Sequence, residues 1–157
     1  MHELDINKLQ FKFDLEFGLK TAEDIQQWAI LALEVAPSNE LALDICFLST
    51  PDEILNYFKN IDRSNTLMSH NRQIIYRKID NYLTSLFNIA PSTEFISHTF
   101  QRLLSIAKYI EDDKLYDFVN HYGDEHHLAL HGCSRYELNE IFPLFLVELK
   151  SWMKNYH

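Results

Sequence analysis

Three glycines and four prolines in 157 residues are too few for a turn-rich β-protein. Tight hairpins and strand turns draw on those two residues for backbone angles that others resist. The same scarcity leaves no GxGxxG or GxxxxGK[ST] phosphate loop and no Gly-x-Ser-x-Gly elbow. The chain is 46% apolar and 24% charged, a balance that builds a packed core rather than a disordered coil. A single domain over 1–157 is expected, since a chain of this size hides roughly 70% of the surface that it exposes unfolded. No apolar run approaches the roughly 18 to 20 residues of a membrane span. Met1-His2-Glu3-Leu4-Asp5 lacks the basic and apolar stretches that open a signal peptide.

Apolar residues recur at helical spacing along most of the chain. Thr21-Ala22-Glu23-Asp24 starts a helix with carboxylates where the dipole favours them. Ile25, Trp28, Ala29, Ala32, Leu33 and Ala36 form its stripe, and Pro37 stops it. Ser38 is read as the opening of a short helix through Leu48. Thr50-Pro51-Asp52-Glu53 starts another, with Thr50 as cap, Pro51 in the first turn and Glu53 completing a capping box. Further helices are expected over about 70–87, from Pro91-Ser92 to Ile110, and over about 114–131. Gly123 marks a bend or break in the last of these, and Gly132 its stop. Ser134-Arg135-Tyr136-Glu137 reads as a capping box for the final helix, which Pro143 should kink unless it lies near the first turn. Residues 9–17 fit an alternating strand nearly as well as a helix; a lone strand has no partner here, so a helix or an extended arm is expected. The predicted fold is all-α, an antiparallel bundle or a stack of helix pairs with about seven helices.

Charge is distributed unevenly. Residues 1–62 hold twelve acids against four lysines and no arginine, a net −8 of the chain's −9. Such a surface repels phosphates, so neither nucleic acid nor a membrane is an expected ligand, and a basic protein is the expected partner. Arg63, Arg72, Arg77 and Lys78 then appear with no acid between Asp62 and Asp80; they are expected to pair with acids inside the protein. Asp112-Asp113 is expected in an exposed, solvated turn.

Two cysteines without a CxxC pattern, Cys46 and Cys133, form no disulfide framework and point to the cytoplasm. The densest set of reactive side chains is Asp117, His121, Asp124, Glu125, His126, His127, His131 and Cys133. His127 and His131 stand four apart, with Asp124 three before His127, a spacing that could offer three ligands to zinc. Leu128 follows His127, so the glutamate base of HExxH is missing. A surface helix with a polar histidine face accounts for the same residues, and no cofactor is expected.

Phe17-Gly18-Leu19-Lys20-Thr21-Ala22-Glu23-Asp24-Ile25-Gln26-Gln27-Trp28-Ala29 resembles the N-terminal signature of a group of small, uncharacterised bacterial helical proteins. Leu41-Ala42-Leu43-Asp44-Ile45 and Pro51-Asp52-Glu53-Ile54-Leu55 resemble that group's second and third helices. The small, acidic, all-helical profile is similar to immunity proteins of bacterial toxin systems. That similarity implies a non-enzymatic, cytoplasmic protein that occludes a basic, nuclease-like toxin. Asp14, Glu16, Glu23, Asp24, Asp52 and Glu53 are then the candidate contact charges, with Tyr57 or Trp28 as anchors. The alternatives are a metal-binding protein or metal-dependent enzyme using Asp124, His127 and His131, and a structural or regulatory helical subunit.

Overall fold

The computed structural model describes residues 3–61 and 72–155, which form eight helices and no strand. The chain is all-α, as its spacing predicts. In one compact unit, Met1–Leu67, α1 spans Glu3–Glu16, α2 Ala22–Val35, α3 Glu40–Cys46 and α4 Pro51–Lys59. In the other, Met68–His157, α5 spans Arg72–Leu86, α6 Thr93–Tyr109, α7 Asp113–Leu130 and α8 Leu138–Asn155.

The ambiguous stretch is helical. Phe11 and Phe13, two residues apart, point to nearly opposite sides of α1, yet both are buried; a helix covered on two sides imitates strand alternation. Phe11 stacks on Trp28 (centroids 4.7 Å apart) and meets Phe58 edge-on at 5.9 Å. It thereby joins α1 to a core of Ile25, Ala29, Leu41, Ile45 and Ile54. Lys12 adds a polar clasp, its Nζ donating to the carbonyl oxygens of Phe58 and Lys59 at the end of α4.

Helix starts follow short-range rules. Thr21 and Asp24 form a complete capping box, and Thr50 and Ser92 cap α4 and α6. Three expected caps are corrected. Asn39, not Ser38, caps α3, its side chain accepting from the Ala42 N–H at 3.0 Å. Glu53 reaches back to the Ser49 N–H rather than to that of Thr50. Ser134 does not cap the last helix: its hydroxyl accepts from the Tyr136 N–H and donates to Glu125. The helix begins at Leu138, where Glu140 reaches back to the Glu137 N–H. Pro143 lies inside that helix.

Three helices end in one hydrogen-bond pattern, the Schellman motif, which needs a residue in the left-handed region. After α1 the pair is Leu19 N–H to Asp14 and Gly18 N–H to Leu15, with Gly18 at φ 68°. After α7 it is Cys133 N–H to Leu128 and Gly132 N–H to Ala129, with Gly132 at φ 71°. After α6 it is Asp112 N–H to Ala107 and Glu111 N–H to Lys108, but here a glutamate, Glu111, stands at φ 54°. Asp112 is not a solvated turn residue, contrary to the sequence expectation: it is 5% exposed. It caps α7 by accepting from the Leu115 N–H at 3.0 Å and also accepts from the Tyr76 hydroxyl.

Gly123 does not break α7, which runs through it. Its bare Cα faces the Phe100 ring of α6, and a methyl group there would meet Phe100 at 3.8 Å, an ordinary contact. Aromatic contacts join the helices of this unit around an aliphatic core: Phe100 lies 4.6 Å from Phe145 of α8, and Phe118 of α7 lies 5.5 Å from Trp152.

Backbone conformation therefore fixes the sign of three substitutions. Gly123→Ala removes the helix-interior cost of glycine and should raise stability by about 0.5–1 kcal/mol. Glu111→Gly relieves a left-handed non-glycine residue and should also raise it by about 0.5–1 kcal/mol. Gly132→Ala imposes that strain and should lower stability by about 1 kcal/mol. Denaturant midpoints at constant slope check all three.

Candidate functional site

The first unit carries the acidic surface, and α2 gives it form. Ala22, Ile25 and Ala29 are buried. The opposite side presents Glu23, Gln27, Ile30, Leu31, Glu34 and Val35, all exposed. These positions recur at i, i+4, i+7, i+8, i+11 and i+12, so they share one outward stripe. It reads acid, apolar, acid along the helix, and Val35 at its end is 89% exposed. Phe47, just past α3, is 82% exposed. Large apolar side chains left in water beside carboxylates characterise contact surfaces more than cores.

The N-termini of α2 and α4 lie at one end of this unit. Gln26 Nε2 donates to the Leu48 carbonyl at 3.2 Å, which ties the first turns of α2 to the segment before α4. Glu23, Asp24, Asp52 and Glu53 are all exposed in those two first turns. Two of them also hold the fold. Asp24 accepts from the Thr21 N–H at 2.9 Å, and its bonds to the Thr21 backbone and hydroxyl hold its carboxyl below the usual range. Glu53 accepts from the Ser49 N–H at 2.9 Å. Glu23 and Asp52 carry charge without such a duty in their caps.

The remaining candidates divide between surface and interior. Glu16 is exposed, but Asp14 is 1% exposed and lies 3.9 Å from the Lys20 ammonium, so it is an internal charge. Trp28 is half-buried against Phe11. Tyr57 is half-buried too and donates to Asp44 at 3.2 Å; burial first, and then the Asp44 charge, push its hydroxyl up to about 12. Neither ring is an exposed anchor. Ile30, Leu31, Val35 and Phe47, with Leu55 of α4, are exposed apolar groups of this unit that sequence reasoning missed. The signal for three of them was a surplus of apolar residues in α2 beyond its buried stripe.

The histidine segment lies on α7 in the second unit. His127 and His131 do come together, ring centroids 4.8 Å apart, both exposed. Asp124 is exposed one turn earlier. Among the described residues no three His, Cys, Asp or Glu side chains converge so that they could hold a metal ion. Cys133 is exposed and Cys46 half-buried, and both are free thiols. His126 differs from its neighbours: it is 3% exposed, 5.7 Å from Phe100 by ring centroids, and its Nε2 has no hydrogen-bond partner. Of the basic run, Arg72 donates to the carbonyl oxygens of Ile110 and Glu111, Arg77 is exposed, and Arg63 lies outside the described residues.

No helix among the described residues is long and apolar enough to cross a membrane. No protein-family model, curated protein or solved structure matches the chain.

Burial, and secondarily His127, hold the His126 imidazole below its ordinary value of 6.5. The unfolded chain then binds the proton more readily than the folded one. Stability from this group is present above about pH 6.5 and is lost as pH falls from there through the lower folded value. His126→Leu removes the titration and the unpaired nitrogen. Between pH 7.5 and 5.5 it should lose less stability than the parent, as read by melting temperature, and at pH 7.5 it should be at least as stable.

Proposed function

We propose that this chain is a protein-binding protein whose first unit engages a basic partner. In its most specific form it is a cytoplasmic immunity protein that occludes a basic, nuclease-like toxin. The observation that carries this reading is the outward stripe of α2, where Ile30, Leu31 and Val35 lie exposed between and beside Glu23 and Glu34. Apolar groups supply the water-excluding centre of a contact, and the flanking carboxylates supply orientation and speed of encounter. Glu23, Asp24, Asp52 and Glu53 extend the same sign of charge over the end of the unit. Two free thiols suit a reducing compartment.

Occlusion needs no chemistry of its own. A toxin that grips nucleic acid presents cations to the phosphate backbone, and a carboxylate-lined stripe competes for those cations directly. Association with such a partner should be fast at low salt and slow steeply as salt screens the field.

The test separates charge from anchor. The partner to assay first is the product of the neighbouring reading frame, purified and immobilised. Glu23→Lys with Glu34→Lys should cut the on-rate about tenfold or more at low salt and have less effect at high salt. Leu31→Ser should leave the on-rate near its starting value and speed dissociation. Asp24 and Glu53 are left intact because their caps would confound the result with unfolding. The charge reversals themselves should change stability by no more than about 0.5 kcal/mol. An acidic or neutral binder, or kinetics indifferent to salt and to both sets of substitutions, would sink the proposal.

A further inference from the structure

The second unit contains a cleft of opposite sign. It lies where α5 packs against α8 and encloses about 320 Å³, lined by Gln73, Tyr76, Arg77, Asp80, Lys150, Met153 and Lys154. Each helix contributes polar groups one turn apart: Gln73 and Arg77 from α5, and Lys150 and Lys154 from α8. Asp80 is the one acid among the described residues that line the cleft, and it is engaged. Lys150 Nζ lies 3.4 Å from it, is also bonded to the Thr84 hydroxyl, and stands 5.5 Å over the Phe87 ring. Arg77 and Lys154 make no ion pair or hydrogen bond among the described residues.

The geometry points to a binding site for a small organic phosphomonoester, with Arg77 and Lys154 holding the phosphate. Two unpaired cations facing one cleft repel each other, and a dianion between them converts that repulsion into attraction on both sides. A planar guanidinium fork beside a compact ammonium matches a tetrahedral oxyanion, which offers acceptors in several directions. Met153 and Tyr76, whose hydroxyl is committed to Asp112, give the cleft an apolar wall for an organic group. The Gln73 amide can both donate to and accept from a ligand hydroxyl or carbonyl. A polyanion such as RNA is disfavoured, because a chain of net charge −9 repels its remaining phosphates. The volume admits one small ligand. This site involves none of the residues of the α2 stripe and stands or falls independently of it.

Titration calorimetry of the full chain with phenyl phosphate, inorganic phosphate and benzyl alcohol tests the assignment. Phenyl phosphate should bind one per chain and saturably, inorganic phosphate about fivefold or more weaker, and benzyl alcohol not at all. Arg77→Gln and Lys154→Gln should each weaken phenyl phosphate about tenfold or more. Lys108→Gln, which removes an exposed cation of α6, should leave it unchanged. Melting temperatures of the variants check that each remains folded. Absence of saturation below about 10 mM, or an equal loss in Lys108→Gln, overturns the site. Equal affinity for phenyl and inorganic phosphate overturns the organic ligand.

Discussion

The second unit depends on a buried carboxylate at the corner between α6 and α7. An acid at a helix C-terminus opposes the dipole, and an acid at the next N-terminus is favoured by it. Asp112 occupies both places, since its N–H closes α6 on Ala107 while its side chain caps α7. The favourable role prevails because the carboxylate lies over the α7 N–H groups and accepts from Leu115 and from Tyr76 of α5. Arg72, also from α5, covers the Ile110 and Glu111 carbonyls that the α6 terminus leaves over. Three helices thus meet through one residue. The left-handed backbone of Glu111 is held by these bonds on either side of it, which is how a conformation that glutamate resists persists in the folded chain. Fixing Tyr76 and Arg72 also fixes the register of α5, and with it the position from which Arg77 reaches the cleft.

Much of this was legible in sequence where a rule acts over four residues. The Thr21, Thr50 and Ser92 caps and the Gly132 stop all follow from local bonding, and the structure places each as its sequence implies. Readings failed where two local solutions compete or where a distant group decides. Ser38 and Asn39 are adjacent candidates, and the longer amide of Asn39 reaches Ala42. Ser134 has the spacing of a cap but finds Glu125, nine residues earlier, and its helix starts four residues later. Gly123 signals a break only in isolation; here the helix runs unbroken through it, and the space opposite Phe100 would admit a methyl group. Asp112 looked solvated because nothing nearby in sequence announces Tyr76, thirty-six residues away.

The candidate surface was legible in a weaker sense. The excess of acids in the first 62 residues is plain, but composition does not tell which carboxylates face water. Asp14 has the same side chain as Asp52, and folding buries the first and exposes the second. The candidate anchors, each of which could from sequence lie at the surface or in the core, divide in a related way. Aromatic residues attract attention as contact groups, and Trp28 and Tyr57 lie half-buried against the core beside Phe11 and Phe58. The smaller Ile30, Leu31 and Val35 remain outside because the buried side of α2 is already filled by Ile25 and Ala29. A helix with more apolar residues than one face can bury leaves the remainder in water or against another molecule.

The local sign of charge at the α2 stripe and at the α5–α8 cleft follows from which side chains are already engaged there. In the first unit two cations are engaged: Lys12 clasps the end of α4, and Lys20 pairs with buried Asp14 and lies over Phe11. The carboxylates of Glu23, Glu34 and Asp52 are left facing water. In the second unit two acids are engaged: Asp112 closes the α6–α7 corner, and Asp80 of the cleft pairs with Lys150. Arg77 and Lys154 are left facing the cleft between α5 and α8. Ion pairs at partly exposed positions add little to stability. Their larger consequence here is subtractive, since each internal pair cancels one charge and lets the unmatched remainder set the local field. A basic protein and a small phosphate would thus be sorted to different units by the same chain, through opposite remainders of the same kind of pairing.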